Sequence, residues 1–492
     1  MSSGQVPERE LTSAIPVPDS GSFRDRNNRV YHLGNTIIRG LSHEAEANWK
    51  ALSSLPFFLA FLAESKVVAS ELLPPGSVPS TRNDETRWAA YLAHERIPFI
   101  SYPYEWSFGM LKDAALLQLE LVERAIESGW TMKDATAYNI QWIGCRPVFI
   151  DLPSFEPYTR GSPWRGYRQF CMMYLYPLML QAYRGVDFQS LLRSELEGID
   201  PLYASHLLSG VSILRKGVLS HVYLHAKMQA RYSQTELAEA KLLTENAGNE
   251  LRPARLTHHS EAMVLGTLQG LRRTVQSLTT GSSRTTWSNY DADHSYGEQS
   301  FDVKKAFVEN VISARRRHVV WDLGCNTGTF SRICAPNADY VVSVDGDPEA
   351  IDRFYYGQKS AEQINILPLT MNLANISPGQ GWLGTERKAF DQRGKPELIL
   401  CLALIHHIVI SANIPLSEFL AWLRQLDAEV IVELVSIEDD MSRMLLRNRV
   451  NQYHDLTEAG FETALAPLFS IRASQHLKGG HRKLYHLEPR LA

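Results

Sequence analysis

Two acids, Asp322 and Asp345, end successive short apolar runs, Val319-Val-Trp-Asp322 and Tyr340-Val-Val-Ser-Val-Asp345. Between them lies a tight turn, Gly324-Cys-Asn326-Thr-Gly328, followed by a helical stretch. Strand, glycine loop, helix, strand, acid is the layout of a nucleoside site in a doubly wound sheet. Glycine at 324 and 328 lets the chain turn through unusual dihedrals and brings backbone close to a ligand. Asn326 tolerates left-handed dihedrals in a place where glycine would also serve. Asp345 suits a ribose diol as a two-oxygen acceptor, and Asp322 suits a positively charged ligand group. The turn lacks the Gly-x-Gly-x-x-Gly phosphate cradle, which argues against a dinucleotide.

The string Val319–Phe330 resembles the first motif of class I methyltransferases, which bind S-adenosylmethionine (SAM). The resemblance implies SAM as cofactor, held by Asp322, Gly324, Asn326, Gly328 and Asp345. Asn372, after a third apolar run, could bond the adenine amino edge; its other role is turn chemistry. A fourth run leads into His406-His407, at the carboxyl end of a strand where ligands bind in such sheets. A histidine there could deprotonate an acceptor, or it could only shape the pocket. Glu433 ends the fifth run. It could bind the acceptor, act as base, or pair with Arg443, Arg447 or Arg449.

A second group of acids lies upstream. Asp134 is followed by Asn139 and by two short apolar runs, Trp142-Ile143 and Pro147–Ile150, that lead to Asp151. This resembles the catalytic loop and metal-binding strand of protein-kinase-like and aminoglycoside-phosphotransferase-like folds. The resemblance implies Asp134 as catalytic carboxylate, Asn139 as metal ligand and Asp151 as the acid holding magnesium on ATP. The departures are several. Met132-Lys133 precedes Asp134, Leu-Pro-Ser follows Asp151, no glycine-rich loop is evident, and Lys66 is only a loose candidate for the usual lysine. They favour a kinase-like fold kept for binding or structure over one that turns over Mg-ATP.

The elements that must position these residues alternate strand and helix in the C-terminal part. Strands are expected at 319–322, 340–345, 364–370, 397–403 and 429–435, with two more from Phe469–Arg472 and Leu484–Leu487. The expected fold class is α/β: a Rossmann-like, seven-stranded class I methyltransferase domain preceded by an α+β kinase-like domain. The chain divides into a disordered tail (1–22), the kinase-like substrate or regulatory domain (23–245), a helical linker (246–286) and the methyltransferase domain (287–492). Amphipathic helices are expected over 114–129 and 258–278. Ahead of the last domain, Trp287, Tyr290, Tyr296, Phe301 and Lys304 could form a lid or simply pack.

The 492 residues suffice for two or three domains, and 44% hydrophobic residues with 21% charged are ordinary for globular cores. A formal net charge of -4 argues against general nucleic-acid binding. The basic run Arg315-Arg-Arg-His318 is expected as a solvated helix end. The five cysteines show neither Cys-x-x-Cys nor zinc-like spacing, so no metal site is established and free thiols in a reducing compartment are expected. The N-terminus has no signal-peptide core, and no apolar stretch is long enough to span a membrane. These features suggest a cytoplasmic protein.

Across most of its length the chain resembles a family of bacterial two-part class I methyltransferases, some named for rhizobial nodulation. The carriers are Ser101–Phe108, Lys133–Ile140, Tyr167–Cys171, Trp321–Gly328 and Leu402–His407. The resemblance implies methyl transfer to oxygen or nitrogen of a small-molecule or glycan-like acceptor. The alternatives are a bifunctional chain that also phosphorylates a substrate, and a non-catalytic SAM-binding scaffold.

Overall fold

A computed structural model of the chain describes residues 15–79, 88–227, 260–281, 298–362, 364–447 and 453–490. Trp287, Tyr290 and Tyr296, with much of the expected linker, lie outside the described residues.

The N-terminal half opens on an antiparallel sheet of β1 (Val17–Pro18), β2 (Asn28–Leu33), β3 (Thr36–Leu41), β4 (Ser70–Leu72) and β5 (Ala90–His94), in the order β1-β2-β3-β5-β4. Gly34 turns β2 into β3 at φ +57°, the left-handed dihedral that a two-residue hairpin requires. Helices α1 (His43–Leu52) and α2 (Pro56–Ala63) join β3 to β4. Helix α3 (Phe108–Glu127) starts where the Ser107 side chain accepts from the Met110 amide, and a wide face from Leu111 to Ile126 is buried. Gly129, at φ +77°, turns the chain after it. Two antiparallel ribbons follow: β6 (Trp130–Met132) with β9 (Phe155–Pro157), and β7 (Ile140–Ile143) with β8 (Arg146–Phe149). Beyond them lie the short helix α4 (Gln189–Ser194) and α5 (Glu261–Ser277), which packs on α3.

After α6 (Glu298–Ser313), the C-terminal half forms one sheet. Its elements are β10 (Arg317–Leu323), α7 (Thr329–Cys334), β11 (Ala338–Asp345), α8 (Pro348–Ser360), β12 (Ile366–Thr370), β13 (Leu398–Cys401), α9 (Leu416–Gln425), β14 (Glu429–Val435), α10 (Glu458–Leu465), β15 (Phe469–His476) and β16 (Arg482–Pro489). Spatially the strands run β12-β11-β10-β13-β14-β16-β15, parallel from β12 to β14, with β16 antiparallel to both neighbours. The strand order reverses between β10 and β13, the switch point where doubly wound sheets open a ligand crevice.

Both faces of this sheet are apolar, as parallel strands require. On one face Val320, Val341, Leu398 and Ile431 pack with residues of α6, α7 and α8. On the other, Trp321, Val342, Leu367 and Ile399 belong to a single core that runs on through α9 and α10 into α3 and the N-terminal half. The connection from β12 to β13 contains only two short 3-10 turns, Trp382–Gly384 and Phe390–Gln392. A parallel crossover ordinarily carries a helix that covers the sheet. Here Trp321 is covered by Phe390 of the crossover and Phe99 of the N-terminal half, with ring centroids 4.5 and 6.3 Å away.

Several expectations are corrected. Residues 15–22, read as tail, carry β1, and Asp19 accepts from Lys388 Nζ at 2.9 Å. The fourth strand stops at Cys401 because Ala403 turns at φ +50°. In the basic run, Arg317 begins β10, is buried, and donates to Glu429 Oε2 at 2.9 Å. Arg315, Arg316 and His318 stay exposed as expected, and only Arg317, paired with partly buried Glu429, departs from a solvated end. All five cysteines are free and buried. Among the described residues, no helix is long and apolar enough to cross a membrane.

Candidate functional site

The glycine turn sits on the pairing of β10 with β11. The amides of Gly324 and Cys325 both donate to Val344 O, at 2.8 and 3.0 Å, which holds the turn over the second strand. Gly324, Asn326 and Gly328 take φ values of +81°, +48° and +82°, all left-handed. At Gly328 the reason is also steric, since a Cβ would lie 1.9 Å from Phe354 Cζ. A Gly328→Ala chain should therefore distort the turn, at a cost of about 1–3 kcal/mol for overpacking and about 1–2 kcal/mol for the dihedral. Thermal melting checks the loss of stability; an unshifted melt would mean that Phe354 moves aside freely.

Asp345 accepts at both oxygens: from Asn326 N at 2.8 Å and from Asp347 N at 2.9 Å. Burial raises its pKa, opposed by those backbone bonds. A carboxylate has about four acceptor positions, so it keeps capacity for a diol. Asp322 is buried beneath the turn, and Ser331 Oγ donates to its Oδ2 at 2.6 Å. Burial pushes the Asp322 carboxyl up to about 7, with Ser331 lowering it and nearby Asp345 raising it further. One more buried acceptor, Asn326 Oδ1, has no hydrogen-bond partner. The turn thus gathers two desolvated carboxyls and an orphaned carbonyl oxygen. Such a set fits a ligand that brings hydroxyl donors and positive charge.

Around this turn the remaining predicted residues take different positions. Asn372 is exposed and its Oδ1 accepts from Ala374 N at 2.9 Å, closing an Asx turn. Its backbone lies 3.9 Å from the place a Cβ on Gly346 would occupy, so the loops after β11 and β12 adjoin. His406 is buried with an unpartnered Nδ1, and its ring centroid is 4.1 Å from that of His407. Burial, with His407 and Lys304 nearby, holds the His406 pKa well below 6.5; burial also lowers that of half-buried His407. Both imidazoles are thus neutral at neutral pH.

Glu433 is fully buried and its carboxylate is committed. Oε2 accepts from Lys304 Nζ at 2.6 Å and Ala403 N at 2.9 Å, and Oε1 accepts from Arg482 Nη1 at 3.2 Å. Arg482 also donates twice to Asp439, at 2.7 and 2.8 Å. The expected partners were different: Arg443 lies beside exposed Asp440, Arg447 is exposed, and Arg449 falls outside the described residues. Lys304 and Arg482 come from α6 and β16, far away in sequence, so no local spacing could show the pairing. The network fixes Ala403, the left-handed residue from which the His406-His407 segment departs.

In the N-terminal half, Asp134, Asn139 and Asp151 come together. Asn139 Nδ2 lies 3.5 Å from Asp151 Oδ2, and the Asp134 pKa is raised by burial and then by Asp151. The cation that reaches them is Arg39 on β3. Its Nη1 donates to Asp151 Oδ1 and Asn28 Oδ1, both at 2.6 Å. Lys66 points elsewhere, to Glu64 and Glu120. The signal was one basic residue within the apolar run Thr36-Ile-Ile-Arg39-Gly-Leu41. Lys133, next to Asp134, is held by Asp25 at 2.7 Å. Among the described residues, no cluster of three or more His, Cys, Asp or Glu has metal-holding geometry.

No family model matches the chain. Nodulation protein NoeA of Rhizobium meliloti (strain 1021) is 31% identical over 500 residues, spanning 98% of this chain and 99% of that one. The N-methyltransferase NodS of Bradyrhizobium japonicum WM9 is 12% identical with a TM-score of 0.28, over 39% of this chain and 99% of NodS. Magnesium protoporphyrin IX methyltransferase of Synechocystis PCC 6803 with bound SAM is 18% identical with a TM-score of 0.27, over 42% of this chain and 86% of that one. At such TM-scores these likenesses to solved structures bear on neither activity nor substrate.

Proposed function

The chain belongs to the family of the Rhizobium meliloti nodulation protein NoeA, and we propose that it is a SAM-dependent methyltransferase acting on an oxygen or nitrogen of a small-molecule or glycan-like acceptor. The observation that carries this reading is the left-handed Gly324-Cys-Asn326-Thr-Gly328 turn facing partly buried Asp345 at the strand-order reversal. Gly324, Asn326 and Gly328 would give the ligand close backbone approach. Asp345 would take the ribose hydroxyls, Asp322 would balance positive charge, and Asn372 would stand at the adenine end. SAM supplies a methyl group on a positively charged sulfur that departs as a neutral thioether.

The chain's own task is alignment. Holding two reacting groups in line is worth about 7–11 kcal/mol in well-oriented systems. The Glu433 network holds Ala403 and thereby sets where His406 and His407 begin. Neutral His407, partly buried and the more accessible of the two rings, would accept a proton from the acceptor, a contribution of about 10²–10⁴-fold. His406 is buried against it and shapes that ring's surroundings. Glu433 serves as a positioning residue in this scheme, since both of its oxygens are occupied.

Asp322 makes the reading pH-dependent. Its folded-state pKa of about 7 lies above the ordinary carboxyl value. Without ligand, the folded chain therefore holds a proton that the unfolded chain releases, and this contribution to stability is lost as pH rises from about 4 through about 7. A cationic ligand favours the ionised carboxyl, so SAM affinity should rise with pH up to about 7 and level off above it. Titrations at pH 6 and 8 check this, and Asp322→Asn should flatten the difference. An equal pH dependence in that variant would remove Asp322 from the charge balance.

The reaction itself is tested with methyl-labelled SAM and small-molecule extracts of the source cells. The reading expects label in an acceptor with wild-type chain and little with His407→Ala; SAM binding without label in any acceptor would favour the scaffold. A second reading, that the N-terminal half also takes Mg-ATP, is favoured by the meeting of Asp134, Asn139 and Asp151. Against it stands the Arg39–Asp151 pair, which already neutralises the proposed metal carboxylate. Magnesium-dependent ATP binding that disappears in Asp151→Asn would establish this second site.

A further inference from the structure

The crossover from β12 to β13 has no helix of its own, and the N-terminal half holds it from end to end. At its far end Arg393 pairs with Glu105, and the Lys388 amide donates to Tyr102 Oη at 2.8 Å. In its middle Arg24 donates to Glu386 at 2.7 and 2.9 Å, and Ser20 Oγ donates to Thr385 O at 2.6 Å. At its near end, next to Asn372, the contact is a three-bond clamp. Arg193 of α4 donates to Asn375 O at 2.8 Å, Asn375 Oδ1 at 3.0 Å and Ile376 O at 2.9 Å. Gln380 Nε2 returns a bond to Arg193 O at 2.7 Å.

The physical consequence lies in the loop after β12. A short loop with only its own turn bonds, Ala374 N to Asn372 Oδ1 and Asn375 N to Asn372 O, would sample many conformations. A guanidinium is a planar fork of donors, and binding two carbonyls and an amide oxygen at once fixes the loop's direction as well as its position. The loop lies beside Gly346 and hence beside the Asp345 tip. We infer that Arg193 is a positioning residue for the base end of the nucleoside site, so that the N-terminal half builds part of that site. This rests on the SAM reading of the glycine turn. It assigns base recognition to a loop whose order comes from the other half of the chain.

The test uses full-length protein and S-adenosylhomocysteine, whose binding needs no turnover, beside its inosine counterpart, in which the base's amino group is replaced by oxygen. Wild type should prefer the adenine ligand. In Arg193→Ala the adenine ligand should bind at least about tenfold more weakly and the preference should shrink toward unity. The inosine ligand should lose much less. Asn375→Ala, which removes one of the three bonds, should shift the preference in the same direction by a smaller amount. This keeps the test valid if Arg193→Ala melts early. A merely structural Arg193 would lower the melting temperature and leave the preference intact, and that result would overturn the inference. A wild type without base preference would also overturn it, whereas a wild type that binds neither ligand would instead sink the SAM reading itself.

Discussion

Glu105→Ala should destabilise the folded chain by about 3–5 kcal/mol, the usual result of stranding one charge of a buried pair. The side chains of Glu105 and Arg393 are each 1% exposed, with Arg393 donating to Glu105 Oε2 at 2.7 Å and Oε1 at 2.5 Å. Glu105 also accepts from the Tyr102 amide at 2.9 Å, and Arg393 donates to Ile100 O at 2.9 Å. Removing the carboxylate leaves a guanidinium among the rings of Tyr102, Phe99 and Phe390, with centroids 4.7 to 5.4 Å away. Those faces offset only a fraction of the loss, about 0.5–2 kcal/mol. Replacing both partners by apolar residues, Glu105→Leu with Arg393→Met, should recover much of the stability. Urea unfolding of the wild type and the two variants checks this. A Glu105→Ala loss below about 1 kcal/mol would show that water reaches the pair.

The second large effect concerns the two halves as units. Residues 298–492 produced alone should fail to give a soluble monomer. Edge strand β12 is buried along its whole length, and ribbon β7–β8 and the segment Pro103–Glu105 lie against it. Without the N-terminal half, Leu367 and Leu369 would face water beside an unpaired strand edge and Trp321 would lose the cover of Phe99, a recipe for aggregation. At about 1.5–3 kcal/mol per large apolar side chain, the exposed surface outweighs the stability of an ordinary domain within a few residues. Size-exclusion chromatography of the fragment decides the matter. A well-behaved monomer with a sharp melt would mean that the sheet closes its own face.

What was legible in the sequence was what is local. The left-handed turn follows from Gly324, Asn326 and Gly328, and each takes the dihedral that its residue type permits. Strands β10, β11 and β14 fall where apolar runs end in acids, because parallel strands are buried on both faces. The helix expected over 258–278 is found as Glu261–Ser277 for the same kind of reason, a periodic apolar face. What escaped is long-range. Arg39 with Asp151, Arg193 with Asn375, Arg393 with Glu105 and Lys304 with Glu433 are more than a hundred residues apart in each case. No spacing rule connects them. Lys66, the loose candidate for the usual lysine, pairs with Glu64 and Glu120, while the cation beside Asp151 is Arg39 on β3, a partner that no local spacing shows. Ala403 ended β13 early through a backbone strained away from the β region, and alanine gives no hint of that.

The most direct measurement is a calorimetric titration of the full-length chain with SAM, alongside Asp345→Ala. Saturable binding at one site per chain is expected, weakened in the variant by about 1.5–3 kcal/mol as a charged acceptor is lost. No binding to the wild type, or equal affinity in Asp345→Ala, would contradict it.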